Sequence, residues 1–505
     1  MGIFLSFSKP IISFFLGVII SFSLPPYNFT FLSFLVMPFF LYLLFLSRQQ
    51  SSKFIFFIGF LFGYGYFLSS LYWISHSLNF DDNLKILKPL VLIFIPSVLA
   101  LFYGITCLVV KKFISNSFYF ILVFSTVLGS IEFLRGFLFT GFPWNLFVYT
   151  WSWSLESIQI LSLVGTYSLN FLSLIIFCFP FLLFNKPSYK KFFFINSCIF
   201  LILFSNYCFG IYSLKKNNLA KIPDFKIVLL QPNQNIEDLQ KDNGYSLYVD
   251  KLINLSDPKK HKEQNILFVW PEGVFFNSSE IVQYSDLFSN NFSSNHAIVL
   301  GATKYEGDSF YNSLLLLNNS AKVISSYDKI KLVPFGEFVP FHDFFEKINL
   351  KKITFGYGSF SNGKIRKPIK LSNGINFLPL ICYEVIFSGM INLEKENYDF
   401  ILNISEDGWF NKSIGTIQHF VHSQFRAIEE GKHIIRTTNQ GISGSIMPNG
   451  YVDKSINFDE ISKVIVDIYK KNEKTFFSIY LNKVFYLLIF LSSVVLIFFR
   501  KKKYE

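Results

Sequence analysis

Charged residues are scarce in this sequence: Asp, Glu, Lys and Arg make up only 16% of the 505 residues, whereas 51% are hydrophobic. Disordered chains combine low hydrophobicity with high charge, so this composition excludes disorder for most of the chain. Cysteine is also scarce, and five residues exclude a disulfide-rich secreted scaffold. In contrast, 67 phenylalanines and a mean hydropathy of +0.39 exceed what a water-soluble core needs.

The apolar residues are concentrated in runs long enough to cross a membrane. A hydrocarbon core of about 30 Å requires about 20 helical residues. The candidate spans are 10–24, 29–47, 54–74, 89–110, 117–134, 160–184, 192–213 and an eighth from 476 to 499. The first run is short and follows Lys9, so a cleaved signal peptide is the alternative there. Because no A-x-A-like cleavage site follows it, we prefer an uncleaved helix.

The positions of the basic residues predict the orientation, because cytoplasmic loops carry an excess of Lys and Arg. With a cytoplasmic N-terminus, the cytoplasmic connections contain Arg48, Lys53, Lys111, Lys112, Lys186, Lys190, Lys191 and the tail from Arg500 to Lys503. The opposite short loops contain only Lys85, Lys88 and Arg135. This bias predicts that both termini are cytoplasmic. Basic residues beside the membrane spans also account for the net charge of +12, so nucleic acid is not a predicted partner.

The sequence is divided into three parts: 1–213 with seven helices, a globular insert at 214–474, and a last helix with a basic tail at 475–505. The insert alternates short strands with segments long enough for helices, which is typical of an α/β layered domain. The predicted strands are Ile227–Gln231, Ile266–Trp270, Ala297–Gly301, Ser313–Leu317, Phe377–Ile381 and Phe400–Ile404. The predicted helices include Ile281–Ser289 and Thr416–Glu430.

Three residues that carry chemistry follow predicted strands in the insert, where catalytic groups of such folds usually lie. Glu272 and Cys382 each come just after a strand, and Lys329 follows Ser325–Asp328. A carboxylate can take the proton of a thiol, and an ammonium can stabilise an oxyanion. The three together suffice for acyl transfer through a thioester, although any large domain contains these residue types.

Longer motifs surround these residues. They are Trp270-Pro271-Glu272, Tyr327-Asp328-Lys329, Leu332-Val333-Pro334-Phe335-Gly336-Glu337 and Ile381-Cys382-Tyr383-Glu384. The sequence resembles the carbon–nitrogen hydrolase (nitrilase) superfamily in these motifs. The Leu332–Glu337 string and the flanking helices resemble the apolipoprotein N-acyltransferase family within it. Further matching strings are Ser23–Pro26, Gly141–Asn145, Asn403–Ser405, Asp407–Phe410, Gln418-His419, Arg426-Ala427 with Glu429, and Arg436 with Thr438-Asn439.

The resemblance implies eight membrane helices and an αββα sandwich inserted between helices seven and eight. It implies that Cys382 takes an acyl chain from a phospholipid, with Glu272 as general base and then acid, and Lys329 near the oxyanion. The acyl chain then passes to the N-terminal amine of a diacylglyceryl-cysteine on an apolipoprotein. Glu337, Tyr383 and Glu384 are implied supporting residues.

The resemblance also implies the surroundings of this reaction. Trp144, Asn312 and Trp409 are expected substrate-binding residues, although a membrane-interface role for Trp144 and a loop-supporting role for Asn312 are the alternatives. No cofactor and no metal are expected, because His419 and His422 lack a third ligand of suitable spacing. The expected setting is a monomer in a bacterial inner membrane, with its globular domain in the periplasm.

The sequence departs from the family at two places. No Trp occurs in the stretch 234–244, and Glu406 stands where Asn is more usual. Two other functions are the alternatives. One is a membrane-tethered amidase that uses the same three residues and hydrolyses its acyl-enzyme. The other is a transporter or receptor with the insert as a binding module, for which Glu132 is an intramembrane candidate. Arg135 is expected to extend toward the membrane surface, and Arg426 is expected to pair with Glu429 three residues away.

Overall fold

The computed structural model describes residues 2–80, 84–115, 117–185, 188–216, 218–239, 244–340, 359–471 and 473–501. The chain forms two compact units. The helical unit comprises Met1–Lys216 and Phe476–Glu505, and the α/β unit comprises Asn217–Thr475. The boundaries expected from the sequence lie at 213/214 and 474/475.

The first part of the helical unit contains eight α-helices. They are α1 (Gly2–Ser21), α2 (Phe31–Leu46), α3 (Ser52–Leu71), α4 (Lys88–Val110), α5 (Phe118–Arg135), α6 (Leu155–Ile158), α7 (Leu161–Cys178) and α8 (Tyr189–Lys215). Ser51 begins α3 by accepting a hydrogen bond from the backbone N–H of Phe54 (3.2 Å). A Cβ atom on Gly65 would lie 2.2 Å from the carbonyl oxygen of Phe14. Glycine therefore allows α1 and α3 to pack closely, as small residues do between membrane helices.

Two charged side chains inside the helical unit, Glu132 and Arg135, form hydrogen bonds. Glu132 accepts hydrogen bonds from Tyr103 Oη (2.9 Å) and Asn170 Nδ2 (2.6 Å). Arg135 is buried and donates to the carbonyl oxygens of Phe142 (2.6 Å) and Trp144 (2.9 Å). The expectation that Arg135 extends toward a membrane surface is therefore wrong, because its side chain is buried within the unit.

The described residues of the α/β unit form twelve strands. They are β1 (Leu219–Gln231), β2 (Ile266–Val269), β3 (His296–Glu306), β4 (Ser309–Leu317), β5 (Val323–Asp328), β6 (Ile369–Lys370), β7 (Asn376–Ile381), β8 (Phe400–Ser405), β9 (His433–Thr438), β10 (Ser443–Ile446), β11 (Val452–Ile456) and β12 (Ser462–Lys471). Its α-helices are α9 (Ile236–Leu239), α10 (Gly244–Ser256), α11 (Ser285–Asn291) and α12 (Ile414–Glu430).

These strands form two six-stranded mixed sheets. The first sheet has the order β12-β1-β2-β3-β4-β5, and the second has the order β11-β10-β9-β8-β7-β6. Strands β1, β2 and β3 are parallel to one another, as are β7, β8 and β9. The sheets face each other, with Phe225 and Phe400 in ring contact (6.5 Å between centroids).

Helices cover the outer faces of both sheets. Alternate residues of the first sheet, such as Val228 and Phe268, pack in one apolar cluster with Leu252 of α10 and Phe288 of α11. Helix α12 packs against β9 and β10 of the second sheet. Since both faces of each sheet are covered, the inner strands are apolar throughout rather than alternating. The expected αββα sandwich is confirmed.

The helical unit ends with α13 (Phe476–Tyr480) and α14 (Lys483–Lys501). Each of the eight predicted spans contains an apolar helix. Among the described residues, five helical segments are long and apolar enough to cross a membrane: Ser52–Phe80, Lys85–Phe113, Phe118–Arg135, Leu161–Phe184 and Tyr189–Lys215. The apolar helices Ser8–Ser21, Phe31–Leu46 and Lys483–Phe499 are shorter. Eight complete spans therefore stay a prediction.

Candidate active site

Glu272 is positioned by the turn that follows β2. The indole N–H of Trp270 donates to Ser256 Oγ (3.0 Å), and the carbonyl of Pro271 accepts from the backbone N–H of Gly301 (3.0 Å). A Cβ atom on residue 301 would lie 2.6 Å from the Cα atom of Glu272. The absence of a side chain at Gly301 thus allows the turn to pack directly against β3.

The carboxylate of Glu272 is buried and receives three hydrogen bonds. Its Oε1 accepts from Asn312 Nδ2 (2.7 Å) and Lys329 Nζ (3.3 Å), and its Oε2 accepts from the backbone N–H of Glu406 (2.9 Å). Burial raises the pKa of Glu272; Lys329 opposes this rise, and the nearby charge of Glu337 adds to it. A raised pKa makes this carboxylate a better proton acceptor near neutral pH.

Lys329 follows β5 and is 1% exposed. Its backbone N–H donates to the carbonyl of Asn312 (2.8 Å), and its ammonium donates to Glu337 Oε1 (2.9 Å). Burial alone would lower the pKa of Lys329, but Glu272 and Glu337 raise it well above its ordinary value. The ammonium therefore stays charged.

Asn312 and Glu337 complete this group of side chains. Asn312 Nδ2 donates to Glu337 Oε1 (2.6 Å) as well as to Glu272, and Glu337 Oε2 accepts from the backbone N–H of Val333 (2.8 Å). We call Glu272, Asn312, Lys329 and Glu337 the base cluster. The contacts of Asn312 agree with its alternative supporting role, and its expected role in substrate binding stays a prediction.

Cys382 begins a short turn, Cys382–Ile386, directly after the buried strand β7. Its φ of +48° lies in the left-handed region, which is uncommon for a residue with a side chain. The side chain is buried, and the charges of Glu272 and Lys329 both act on the thiol. Burial, Glu272 and Asp407 raise the pKa of Cys382, whereas Lys329 and a hydrogen bond with Ser405 lower it. The resting thiol is therefore protonated and requires a base.

Glu384 fastens the Cys382 turn to the chain that follows β5. Its Oε1 accepts from the backbone N–H of Ile330 (2.9 Å) and its Oε2 accepts from that of Ile381 (2.9 Å). Tyr327 Oη (2.7 Å) and Arg366 NH2 (2.7 Å) also donate to Oε1. These bonds connect the segment that carries Lys329 with the turn that carries Cys382. Tyr383, also buried in this turn, packs against Phe387 with 5.1 Å between ring centroids.

A second group of buried polar side chains lies next to Cys382, and sequence reasoning missed it. Asp407 Oδ2 accepts from Arg436 NH2 (2.7 Å), and Asp407 Oδ1 lies 2.9 Å from His419 Nδ1. Ser405 Oγ donates to Asp407 Oδ1 (2.8 Å). We call Ser405, Asp407, His419 and Arg436 the support network. Ser405 ends β8 and Asp407 follows it, so their location at a strand end was the available signal, whereas Arg436 lies within β9 and His419 within α12.

His419 has more candidate ligand partners than its sequence spacing indicated. One ligand atom each from Cys382, Asp407 and His419 lie within 4.8 Å of one another. Sequence spacing did not indicate this group, because folding brings together residues that are distant in sequence, and the expectation of no metal stays a prediction. Asp407 is already paired with Arg436, so hydrogen bonds account for this group without an ion.

The remaining predicted residues lie elsewhere. Trp144 is 1% exposed and packs against Trp73 and Phe142 in the helical unit, so the interface alternative, which requires lipid contact, is wrong. Trp409 lies in the turn Gly408–Phe410 after β8. Arg426 Nε pairs with Glu429 Oε2 (2.8 Å), which confirms that expectation. Part of the stretch without Trp, 240–243, lies outside the described residues.

A buried thiol, carboxylate and ammonium at the strand ends of an αββα sandwich define the class of the carbon–nitrogen hydrolases. The family model described as carbon–nitrogen hydrolase matches residues 287–476. The solved structure of XC1258 from Xanthomonas campestris, a CN-hydrolase superfamily protein, is 16% identical with a TM-score of 0.36, covering 49% of this chain and 91% of that one.

A second model, described as the apolipoprotein N-acyltransferase N-terminal domain, matches residues 16–179. The apolipoprotein N-acyltransferase of Brucella melitensis is 30% identical over 424 residues, which cover 82% of this chain and 79% of the relative. That of Rickettsia prowazekii is 32% identical over 425 residues, covering 82% and 83%. This chain belongs to the apolipoprotein N-acyltransferase family.

Proposed function

We propose that the protein transfers a fatty acyl chain from a phospholipid, through a thioester on Cys382, to the N-terminal amine of an S-diacylglyceryl-cysteine on an apolipoprotein. The observation that carries this proposal is a buried thiol on which the charges of both Glu272 and Lys329 act. Membership of the family supports the choice of acceptor.

In the first half-reaction, Glu272 takes the proton from the Cys382 thiol. The thiolate attacks the ester carbonyl of the phospholipid, and the ammonium of Lys329 stabilises the oxyanion that forms. The carbon–oxygen bond of the ester then breaks. Glu272 returns its proton to the departing oxygen, so that a lysophospholipid leaves and a thioester stays on Cys382.

In the second half-reaction, the amine of the acceptor attacks the thioester carbonyl. Glu272 accepts the proton that the amine loses, and the carbon–sulfur bond breaks to form an amide. The proton returns to the Cys382 thiolate, which restores the resting enzyme. This ping-pong order allows two lipid substrates to use one site in turn.

The burial of Cys382 supports transfer rather than hydrolysis. The residue is 6% exposed, and Glu272 beside it is 9% exposed. A thioester formed there has little contact with bulk water, which limits the competing reaction with water. The alternative function, a membrane-tethered amidase, requires water to reach the same atom.

The central test is the intact mass of the purified full-length protein after incubation with a phospholipid of one known acyl chain. We expect an increase of one acyl chain, localised to Cys382 by peptide mapping. Cys382→Ser should lose the thioester, whereas the matched control Cys208→Ser, which changes an exposed cysteine of the helical unit, should retain it. An acyl chain that still forms on the Cys382→Ser protein at the wild-type rate would contradict the assignment.

The products distinguish the transferase from the amidase. With phospholipid and a diacylglyceryl lipopeptide present, a transferase adds one acyl chain to the lipopeptide amine. An amidase leaves the lipopeptide amine free and releases the acyl group to water. Mass spectrometry of the lipopeptide separates the two reactions.

We also propose a bacterial inner membrane location with the α/β unit in the periplasm and both termini in the cytoplasm. The basic residues of the predicted cytoplasmic loops support this orientation. A fluorescent protein that matures only in the cytoplasm, fused after Glu505, should fluoresce in intact cells. A dark fusion of full length that is instead cleaved by protease added outside the inner membrane would reverse the orientation.

A further inference from the structure

The support network connects three elements of the α/β unit directly to Cys382. Its members lie on or after β8 (Ser405, Asp407), on α12 (His419) and on β9 (Arg436). All four side chains are buried, with Asp407, His419 and Arg436 at 0% exposure. None of them takes a proton or an acyl group in the proposed reaction.

Two members of the network lie beside the Cys382 side chain: one ligand atom each of Cys382, Asp407 and His419 lie within 4.8 Å of one another. Asn403, whose Oδ1 accepts from Arg436 NH1 (2.6 Å), adds a weak contact to the Cys382 carbonyl (3.5 Å). Both the backbone and the sulfur of the residue therefore have neighbours on the side of the second sheet.

The position of His419 is itself fixed by α12. Ser413 begins this helix by accepting from the backbone N–H of Gly415 (3.2 Å), and Gly431 ends it with a φ of +62°. Within the helix, His419 Nδ1 lies 2.9 Å from Asp407 Oδ1 and 3.0 Å from Arg436 NH2. The ring is thus held between a charge pair and the nucleophile.

The network is balanced in charge. Burial alone would raise the pKa of Asp407, but Arg436 and His419 lower it to about 2. Burial and Arg436 lower the pKa of His419, which is therefore neutral near pH 7. One carboxylate and one guanidinium remain, paired at 2.7 Å. The hydrogen bonds among these buried side chains restrain them, which suits the network to hold a neighbour in place.

We propose that Ser405, Asp407, His419 and Arg436 are positioning residues that hold Cys382 in its left-handed conformation and direct its thiol toward Glu272. This inference rests on the proposed function. A left-handed φ at a residue with a side chain persists only where the surroundings enforce it, and the network supplies that restraint. The fixed carboxylate of Asp407 also keeps the thiol protonated until Glu272 takes the proton.

Four groups in the site act on the thiol through their charge or hold it in place. Glu272 and Lys329 act from the ends of the first sheet, and Asp407 and His419 act from the second-sheet side. Removing the charge of Asp407 should therefore shift the reactivity of Cys382 in a known direction. A residue that only stabilises the fold would not produce a directed shift.

The test measures two properties of the full-length protein in detergent. The first is the single-turnover rate at which a phospholipid acylates Cys382. The second is the pH dependence with which iodoacetamide alkylates Cys382, localised by peptide mass so that the other cysteines do not interfere.

We expect Asp407→Asn and His419→Gln to slow acylation by about 100-fold, because small displacements of a reacting atom have effects of this size. Asp407→Asn should in addition move the alkylation profile to lower pH, since a negative charge beside the thiol is lost. Ser405→Ala removes one hydroxyl and should slow acylation about fivefold.

His433→Gln is the matched control. His433 is a buried histidine of β9 that donates to or accepts from Ser445 Oγ (2.8 Å), away from Cys382. Its substitution should change thermal stability without altering either property of Cys382. Ser405→Ala keeps the inference testable if Asp407→Asn does not fold.

Each outcome decides a different claim. Wild-type acylation and alkylation in folded Asp407→Asn, His419→Gln and Ser405→Ala proteins would overturn the positioning role. A shift of the Asp407→Asn profile to higher pH would overturn the role of its charge. Acylation of the Cys382→Ser protein at the wild-type rate would instead overturn the proposed function. The alkylation measurement does not depend on acyl transfer, so failure of the positioning role and failure of the proposed function are distinguishable.

Discussion

The two buried polar groups on either side of Cys382 are built from similar side chains but differ in charge. The base cluster holds two carboxylates, Glu272 and Glu337, around the single ammonium of Lys329. The support network holds one carboxylate, Asp407, against one guanidinium, Arg436. The first group has one carboxylate in excess, and the second has none.

This difference separates chemistry from support. Burial together with a second carboxylate raises the pKa of Glu272, so that it can accept a proton. In contrast, the pKa of Asp407 is lowered to about 2 despite its burial, chiefly because of Arg436, so it stays ionised throughout the physiological range. An excess carboxylate therefore makes a buried cluster able to take up protons, and a balanced pair makes it inert.

Among the substitutions that test this comparison, replacing the base should have the largest effect, on the rate at which Cys382 is acylated. Glu272→Gln removes the proton acceptor but retains an oxygen for Asn312 and Lys329. We expect acylation of Cys382 to slow by about 10²–10⁴-fold, the range of general base catalysis. Single-turnover acylation followed by intact mass measures it. Acylation of the folded variant at the wild-type rate would show that another group takes the thiol proton.

Removing the cation of the base cluster should reduce stability in addition to removing the group that stabilises the oxyanion. Lys329→Met leaves two buried carboxylates without a counter-charge, and we expect the free energy of unfolding to fall by about 3–5 kcal/mol. Urea unfolding in detergent measures the change. The matched control is Lys412→Met, which removes an exposed ion pair with Asp459 (2.9 Å) and should cost about 1 kcal/mol or less. Equal losses in both variants would mean that Lys329 is not the counter-charge of the cluster.

Removing the second carboxylate should make the base cluster resemble the support network. In Glu337→Gln the base cluster has one carboxylate and one ammonium, so the pKa of Glu272 should fall. Glu272 must be ionised to act as a base, and the acidic limb of the pH–rate profile should therefore move to lower pH. The pH profile of the acylation rate checks this. An acidic limb that stays in place would mean that Glu337 does not contribute to the raised pKa of Glu272.

The smallest predicted effect concerns Glu406, the residue that stands where the family usually has Asn. Burial raises the pKa of its carboxyl to about 8, although Asn439 and the backbone of Gly408 oppose the rise. The folded protein thus keeps a proton that the unfolded chain releases near pH 4.5. This contribution to stability is complete below pH 4.5 and is lost as the pH rises toward about 8.

The variant Glu406→Gln has no carboxyl group that could titrate at this position. Its free energy of unfolding should therefore decline less steeply between pH 4.5 and about 8 than that of the wild type. Urea unfolding at several pH values compares the two slopes. Equal slopes would place the carboxyl of Glu406 in contact with water.

The positions of Glu272, Lys329 and Cys382 could be predicted from sequence because these residues follow strands whose signals are local. Glu272 follows β2 and Cys382 follows β7, and both strands are short apolar runs with clear ends. Glu272 and Lys329 follow strands of the first sheet and Cys382 follows a strand of the second, so the site forms where the two sheets face each other. The motifs that contain these residues are also continuous, so resemblance identified them directly.

The support network could not be predicted in the same way. His419 lies in the interior of α12, where nothing in the local sequence indicates that Cys382 lies beside it. Asp407 and Arg436 meet because β8 and β9 are adjacent and parallel, with Asn403 opposite Arg436 in the register. The strings that contain these residues match the family, but the contacts between them depend on packing between elements, which the strings do not specify.

The hydrogen bond from the main chain of residue 406 to Glu272 has a consequence for inhibitor design. Every amino acid except proline supplies that N–H, so exchange of the side chain at this position leaves the donor in place. A compound could displace the Glu272 carboxylate and accept a hydrogen bond from the same backbone amide. Among substitutions of residue 406, only proline would remove that donor and give resistance in this way.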